Sequence, residues 1–183
     1  MIDMNRDFFD RSLNYQDQDT YNQILSNVEV IFQKHDDELQ RVKEIAQMIR
    51  EGIEEISPFI QQCTEIVCPA CKNICCSNKH GYYNQEDLVY IHALGLKPPD
   101  FEFGKKESDP CQFFSMTGCA LERSVRPSGC NWYFCESLLD YMEMRPDYQE
   151  FDDSLGDVAT LWMELMKVFA WIMKNMERDS AIP

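Results

Sequence analysis

The chain has 183 residues and a mass of 21.6 kDa, which fits one domain or one domain with an appendage. Hydrophobic residues make up 44% of it and aromatic residues 12%, too much for a disordered chain. Thirty-two acidic and 17 basic side chains give a net charge of -15. Such a charge repels phosphate backbones and anionic lipid heads, so we expect neither nucleic acid nor membrane as a partner.

The start of the sequence carries no sign of export. Residues 1–7 lack the cationic start and apolar run of a secretory signal. No uncharged stretch is long enough to cross a bilayer. We therefore expect a soluble, cytoplasmic protein.

A heptad seam runs through the first third of the chain and predicts one long helix. Its positions alternate spacings of four and three: Tyr21, Leu25, Val28, Phe32, His35, Leu39, Val42, Ala46, Ile49, Ile53 and Ile56. Three more isoleucines, Ile24, Ile31 and Ile45, widen the stripe and favour a bundle face over a two-stranded coil. We expect Asp19 and Thr20 to cap this helix and Ser57-Pro58 to stop or kink it.

Two further helices are predicted on either side of a turn-rich stretch. Residues 84–94 read as a helix that Asn84 caps and Gly95 closes. Residues 105–129 are rich in turn formers and show little periodicity. Residues 155–176 form an apolar helix that we expect to pack on the N-terminal helix, with a Met- and Trp-rich partner-binding helix as the alternative. We expect the acidic stretch 147–157 to be a solvated linker and helix start.

All nine cysteines fall between residues 63 and 135. One of them, Cys63, has helical spacing with apolar neighbours and is interpreted as a packed core thiol. The other eight are candidate metal ligands, because a reducing compartment favours metal ligation over disulfides: Cys68, Cys71, Cys75, Cys76, Cys111, Cys119, Cys130 and Cys135. Their segment, residues 68–135, carries seven basic and seven acidic side chains, so metal-bound thiolates would meet little fixed charge of their own sign.

The spacing of these thiols is typical of a sulfur-ligated metal site. Cys68-x-x-Cys71 is the kind of short interval that directs two sulfurs at one ion. Adjacent Cys75 and Cys76 cannot easily bind one tetrahedral centre, so the doublet suggests two centres or a ligand beside a supporting thiol. Eight sulfurs suffice for two all-cysteine sites.

The order of these residues resembles the YkgJ-type cysteine-cluster family, described as zinc- or iron-chelating. The matching elements are the cluster that ends in Cys75-Cys76, the helix from Gln85, residues 111–114, residues 118–121, and Arg126-Pro127 followed by Cys130 and Cys135. The sequence departs from the family pattern in the three residues between Cys71 and Cys75, and in Asn131, where arginine is common. The resemblance covers residues 68–135 and implies metal chelation, with flagellin lysine methylation associated with one related cluster.

The chemistry of the donors leaves the metal open between zinc and iron, including an iron–sulfur cluster. The spacing of the first cluster does not follow the bacterial ferredoxin run, which favours structural zinc. Of the histidines, we expect His80 in an exposed turn, His92 at a helix C-terminus and His35 as a packed or paired position. We expect Arg126 to bond carbonyls or thiolates around the site. No catalytic residue is identified, so an enzymatic role stays open.

The predicted fold is mainly α: a bundle of long N-terminal and C-terminal helices with an irregular cysteine-rich metal-binding module. We expect a long-helix region over residues 1–67, the cysteine module over 68–135, and an acidic linker with the C-terminal core helix over 136–183. The leading hypothesis is a zinc- or iron-chelating protein. The alternatives are an iron–sulfur protein in redox or methyl-transfer chemistry, and an acidic helical module that binds a protein partner and uses zinc as a staple.

Overall fold

The computed structural model describes residues 17–71, 75–115 and 118–180, with side chains described as far as residue 176. Over these ranges the chain is mainly helical, and its two short strands form one antiparallel hairpin. It divides into two compact units. The first comprises residues 1–47, 83–104 and 161–183, and the second comprises residues 48–82 and 105–160. No helix in the described ranges is long and apolar enough to cross a membrane.

Six α-helices lie in the described ranges, and we number them in chain order. They are α1 (Gln18–Lys34), α2 (Gln40–Val67), α3 (Gln85–Ala93), α4 (Gly129–Trp132), α5 (Glu136–Glu143) and α6 (Tyr148–Ser180). The strands are β1 (Phe114–Ser115) and β2 (Gly118–Cys119), and short 3₁₀ turns cover Cys68–Ala70, Asn78–His80 and Arg123–Val125. The boundary between the two units falls inside α2 and inside α6.

The predicted single N-terminal helix is wrong, because the chain turns between Lys34 and Gln40 and forms two helices. Lys43 Nζ pairs with the side chain of Asp36 and lies 3.3 Å from its carbonyl oxygen, which ties the turn to the start of α2. The N-cap is also one turn earlier than expected. Asp17 accepts a hydrogen bond from the Thr20 amide at 2.9 Å, so Asp19 and Thr20 lie inside the first turn.

The burial predicted for the seam is confirmed except at Leu25 and His35, which are only partly buried, although the helix is broken. Eleven of its positions and their isoleucine neighbours are fully or nearly fully buried: Tyr21, Ile24, Val28, Ile31, Leu39, Val42, Ile45, Ala46, Ile49, Ile53 and Ile56. Pro58 lies inside α2 and does not stop it. A proline inside a helix costs about 3 kcal/mol, and the buried side chains of Ile56, Ile60 and Cys63 on the same helix offset that cost.

The first unit has an aromatic core. Phe32 of α1 stacks on Phe169 of α6 with ring centroids 6.1 Å apart, and Tyr90 of α3 contacts Trp162. Helix α3 begins at a capping box in which Asn84 and Asp87 bond each other's amides, and it ends before Gly95, whose φ is 70°. The capped helix and its glycine stop are therefore confirmed.

The core of the second unit lies between α2, α5 and the start of α6. Its buried members are Ile56, Ile60, Cys63, Leu138, Met142 and Phe151. Cys63 is fully buried there, which confirms it as a packed thiol. Phe151 stacks on Phe59 at 4.4 Å and anchors the first turns of α6. The helix start predicted in the stretch 147–157 is therefore confirmed, whereas the predicted linker is wrong because residues 148–157 are helical.

Helix α6 packs against the N-terminal helices within both units, as predicted for the C-terminal apolar segment. In the first unit, Glu164 Oε1 accepts a hydrogen bond from Arg41 Nη2 at 2.8 Å. In the second unit, Gly52 of α2 faces Val158 so closely that an added Cβ would lie 2.5 Å from Val158 Cγ2. Glycine at position 52 therefore permits the close approach of α2 and α6 within that unit.

We expect Gly52→Ala to destabilise the protein by about 1–3 kcal/mol, because the stiff side chain of Val158 leaves no room for the added methyl group. Gly156→Ala is the matched control: nothing lies within 4 Å of its Cβ, and it should stabilise α6 by about 0.5–1 kcal/mol. The measurement is urea unfolding. Equal effects of the two substitutions, or no relief of the Gly52→Ala effect in a double variant with Val158→Ala, would contradict the packing described here.

Candidate metal centre

One cavity of about 130 Å³ in the second unit gathers most of the predicted sulfur ligands. Six of the eight cysteines line it: Cys68, Cys75, Cys76, Cys111, Cys119 and Cys130. Apolar walls complete it, from Ile60, Phe114, Tyr133, Phe134 and Leu138. Residues that are far apart in sequence are therefore brought to one place by the fold.

The first two thiols lie where α2 ends. The helix passes into the 3₁₀ turn Cys68–Ala70, and the Cys71 amide donates to the Cys68 carbonyl oxygen at 3.1 Å. Cys135 immediately precedes α5, and its thiol forms a hydrogen bond with the thiol of Cys75. Cys71 and Cys135 do not line the cavity, but each interacts electrostatically with Cys68, which does.

A short backbone framework positions the thiols that come later in the chain. The Cys111 amide donates to the Cys76 carbonyl oxygen at 2.9 Å, next to an isolated bridge between Ser77 and Pro110. Phe114 of β1 pairs with Cys119 of β2 in the hairpin, which the sequence did not predict. Cys130 lies in α4, with its Sγ 4.0 Å from the His80 carbonyl oxygen.

The donor chemistry fits a thiophilic metal, although the side chains are not closed around one. All nine cysteines are free thiols. Among the described residues, no three His, Cys, Asp or Glu side chains already form a group that could hold a metal ion. The cavity lining contains six cysteines and His80 and no carboxylate. Side-chain rotations would be needed to bring four sulfurs to one centre, and cysteine has one rotatable bond for this purpose.

Desolvation keeps several of the metal-free thiols protonated. Desolvation, followed by neighbouring thiols with Cys76 first among them, raises the pKa of Cys75 to about 11. Desolvation likewise raises the pKa values of Cys68, Cys76 and Cys111. A thiol with a raised pKa is neutral near pH 7, so these sulfurs become strong ligands only when a cation displaces their protons.

The cavity also contains a buried arginine, which the sequence did not predict. Arg123 is 8% exposed, lines the cavity, and donates from Nη1 to the Cys130 carbonyl oxygen at 3.4 Å. Burial lowers its pKa to about 10, with Arg126 adding repulsion, so the guanidinium is still charged near neutral pH. The groups that favour its charge are the thiols of Cys130, Cys119 and Cys76.

Arg126 also lines the cavity, and its Nε donates to the Leu121 carbonyl oxygen at 2.9 Å. Of the roles expected for it, this contact supports the one in which it bonds a backbone carbonyl.

The histidines separate into different settings. His80 is half-buried, lines the cavity and stacks on Tyr133 at 5.1 Å, so the expected exposed turn is wrong. The reason is the 3₁₀ turn Asn78–His80, which directs the ring onto Tyr133. His92 belongs to the first unit, where its Nδ1 lies 2.8 Å from the Leu88 carbonyl oxygen, and His35 pairs with Glu38 at 3.7 Å.

Comparison with models of protein families, with characterised proteins and with solved structures finds no match to this chain. The resemblance to the YkgJ-type family therefore depends on the sequence elements given above, from the first cysteine cluster to Arg126-Pro127 and Cys135, and on nothing else.

We expect alkylation of the metal-free protein to be slow near neutral pH, because the raised pKa values of Cys68, Cys75, Cys76 and Cys111 leave little thiolate. The rate at Cys75 should keep rising to about pH 11, past the point where an ordinary thiol has levelled off. Iodoacetamide labelling with peptide mass spectrometry measures each site separately. A labelling rate at Cys75 that is half-maximal near about pH 8.5, the pKa of an unperturbed thiol, would contradict the desolvation described here.

Proposed function

We propose that this protein binds a thiophilic metal ion, zinc in the first place, through thiolates gathered in the cavity of its second unit. The observation that carries the proposal is the convergence of six cysteines, drawn from four separate stretches of the chain, on one cavity of about 130 Å³. Soft sulfur donors select zinc or iron over magnesium and calcium, which prefer oxygen ligands. No carboxylate lines the cavity among the described residues.

The metal has a structural task in this proposal. No hydrophobic side chain is buried in the described residues from 64 to 82 or from 105 to 137, apart from Pro127. The other buried side chains there are polar: Asn78, Arg123, Ser124, Ser128 and Asn131. A segment without an apolar core needs another source of stability, and a bound cation that joins distant thiolates supplies it.

We also propose a family for the cysteine-bearing segment, while the identity of the bound metal is to be measured. We assign residues 68–135 to the YkgJ-type cysteine-cluster proteins on the order of their cysteines. The cavity residues would hold the metal through Cys68, Cys75, Cys76, Cys111, Cys119 and Cys130, with Cys71 and Cys135 beside them. An iron–sulfur cluster is the alternative occupant of the same sulfur ligands.

We expect protein purified without air to contain zinc and to keep it through gel filtration, with most of the eight cysteines protected from thiol reagents until a strong chelator is added. Elemental analysis and thiol counting measure this. The variant Cys63→Ala should retain the metal, because its thiol belongs to the hydrophobic core. Brown protein with iron and acid-labile sulfide would identify the cluster alternative. Metal-free protein, or cysteines joined as disulfides, would contradict the proposal.

Arg123 should tune metal affinity through its charge. A four-thiolate site with a divalent ion carries a net negative charge, and Arg123 is the buried cation beside it. We expect Arg123→Gln to weaken zinc binding about 10- to 100-fold and Arg123→Lys to restore most of the affinity.

Competition with a chromophoric chelator at fixed pH measures this effect, with circular dichroism as the control for folding. Equal losses in the two Arg123 variants would show that shape, and not charge, is the contribution of Arg123.

A further inference from the structure

We propose that Gly81 is a positioning residue of the metal centre, because its missing side chain leaves the space in which the thiol of Cys111 lies. A Cβ added at Gly81 would be 3.0 Å from Cys111 Sγ. Carbon atoms in contact stay about 3.5–4.0 Å apart, and sulfur is larger than carbon. This role rests on the metal binding proposed above and concerns a residue that is not itself a ligand.

Backbone hydrogen bonds fix Gly81 and Cys111 relative to each other. The Gly81 amide closes a 3₁₀ turn by donating to the Asn78 carbonyl oxygen at 3.0 Å. The Asn78 amide donates to the carbonyl oxygen of Asp109, just before Cys111, at 2.8 Å. The Cys111 amide in turn donates to the Cys76 carbonyl oxygen at 2.9 Å. The Cys111 side chain, and not the backbone, would therefore have to make room for a methyl group at position 81.

The backbone conformation of Gly81 does not require glycine. Its φ is -85° and its ψ is -3°, a region that other residues also adopt. Alanine at this position would therefore add no backbone strain. What glycine provides is room for the thiol, on a side where the next nearest atom is the Asn78 carbonyl oxygen, 3.4 Å from an added Cβ.

The space beside Gly81 matters most when the sulfur is bound. Cys111 lines the cavity from its position against Gly81, and an added methyl group would push its Sγ away by a few tenths of an ångström or into another staggered rotamer. In the metal-free protein this shift costs little, because the thiol can rotate about its one free bond. A sulfur bound to zinc at about 2.3 Å in a tetrahedral site lacks that freedom. Gly81 should therefore affect metal affinity and leave the metal-free fold almost unchanged.

Gly129 provides a matched control in the same cavity. It lines the cavity and directly precedes Cys130, yet nothing lies within 4 Å of a Cβ added to it. Gly129→Ala therefore makes the same chemical change beside another candidate ligand without taking space from a thiol.

We expect Gly81→Ala to weaken zinc binding about 10- to 100-fold, the range typical of changes to residues that orient metal ligands. Gly129→Ala should bind zinc as tightly as the unmodified chain. Competition with a chromophoric chelator at fixed pH measures these affinities. Urea unfolding of the metal-free proteins, followed by circular dichroism, should give nearly the same midpoint for all three.

A second measurement identifies the thiol through which Gly81 acts. In zinc-saturated Gly81→Ala, Cys111 should react with iodoacetamide faster than in the unmodified chain, while Cys76 and Cys119 stay protected. In zinc-saturated Gly129→Ala, Cys111 should stay protected as well. Peptide mass spectrometry measures each cysteine separately, and a general loosening of the fold would expose all three cysteines together.

The results that would overturn the role of Gly81 differ from those that would overturn metal binding. Unchanged zinc affinity in Gly81→Ala, with Cys111 still protected, would show that the thiol binds from a different rotamer. Equal losses in Gly81→Ala and Gly129→Ala would show that any crowding of the cavity has this effect. Metal-free Gly81→Ala that is unfolded, or that unfolds at a clearly lower urea concentration, would give Gly81 a structural role instead. An unmodified chain that binds no zinc would overturn the zinc site itself, which its own titration reveals before any variant is compared.

Discussion

Six of the eight candidate thiols line one small cavity, and their crowding is the constraint on which the cysteine-bearing part of the second unit depends. Desolvation and neighbouring thiols raise the pKa of Cys75 to about 11, and desolvation also raises the pKa values of Cys68, Cys76 and Cys111. Without a metal these four sulfurs stay neutral near pH 7, and neutral thiols bond one another only weakly. Ionised together they would repel, and Arg123 and Arg126 are the cations that line their cavity. A divalent cation that replaced the protons would bind the sulfurs more strongly than neutral thiols bind one another. Its charge would also offset the repulsion between the ionised thiols. The buried Arg123 then has a lasting counter-charge, without which burying it would cost on the order of several kcal/mol.

The sequence predicted which side chains are buried better than it predicted where the helices begin and end. Apolar positions from Tyr21 to Ile56 keep one heptad seam whether the chain runs straight or folds back, because the spacing records which side chains are buried and not what they face. The break at residues 35–39 had a local signal in Asp36 and Asp37, both turn formers, but the seam passed through it. At Pro58 the sequence predicted that the helix would stop or kink, but α2 continues through this residue. The buried neighbours on α2 outweigh the one lost hydrogen bond. Helix α3, whose capping box and terminal Gly95 are local in sequence, was predicted closely.

At the candidate site, the sequence identified the reactive groups and could not identify their surroundings. Six of the eight candidate ligands line one cavity, and Cys63 was correctly separated from them by its apolar helical spacing. Arg123 was missed because arginine is usually exposed and no periodicity marks a buried one in a turn-rich stretch. The stacking of His80 on Tyr133 was also missed, since it joins residues more than 50 positions apart and leaves no local pattern. Such contacts arise only when the fold is known.

In the function that we propose, a sulfur-bound cation, and not an apolar core, holds residues 68–82 and 105–135 in place. Hydrogen–deuterium exchange with and without a strong chelator tests this claim most directly, because it reports each segment separately. The account predicts that removing the metal speeds amide exchange through these two segments, while α1, α3 and the middle of α6 keep their protection. Unchanged protection around Cys76, Cys111 and Cys130 after complete metal removal would contradict it.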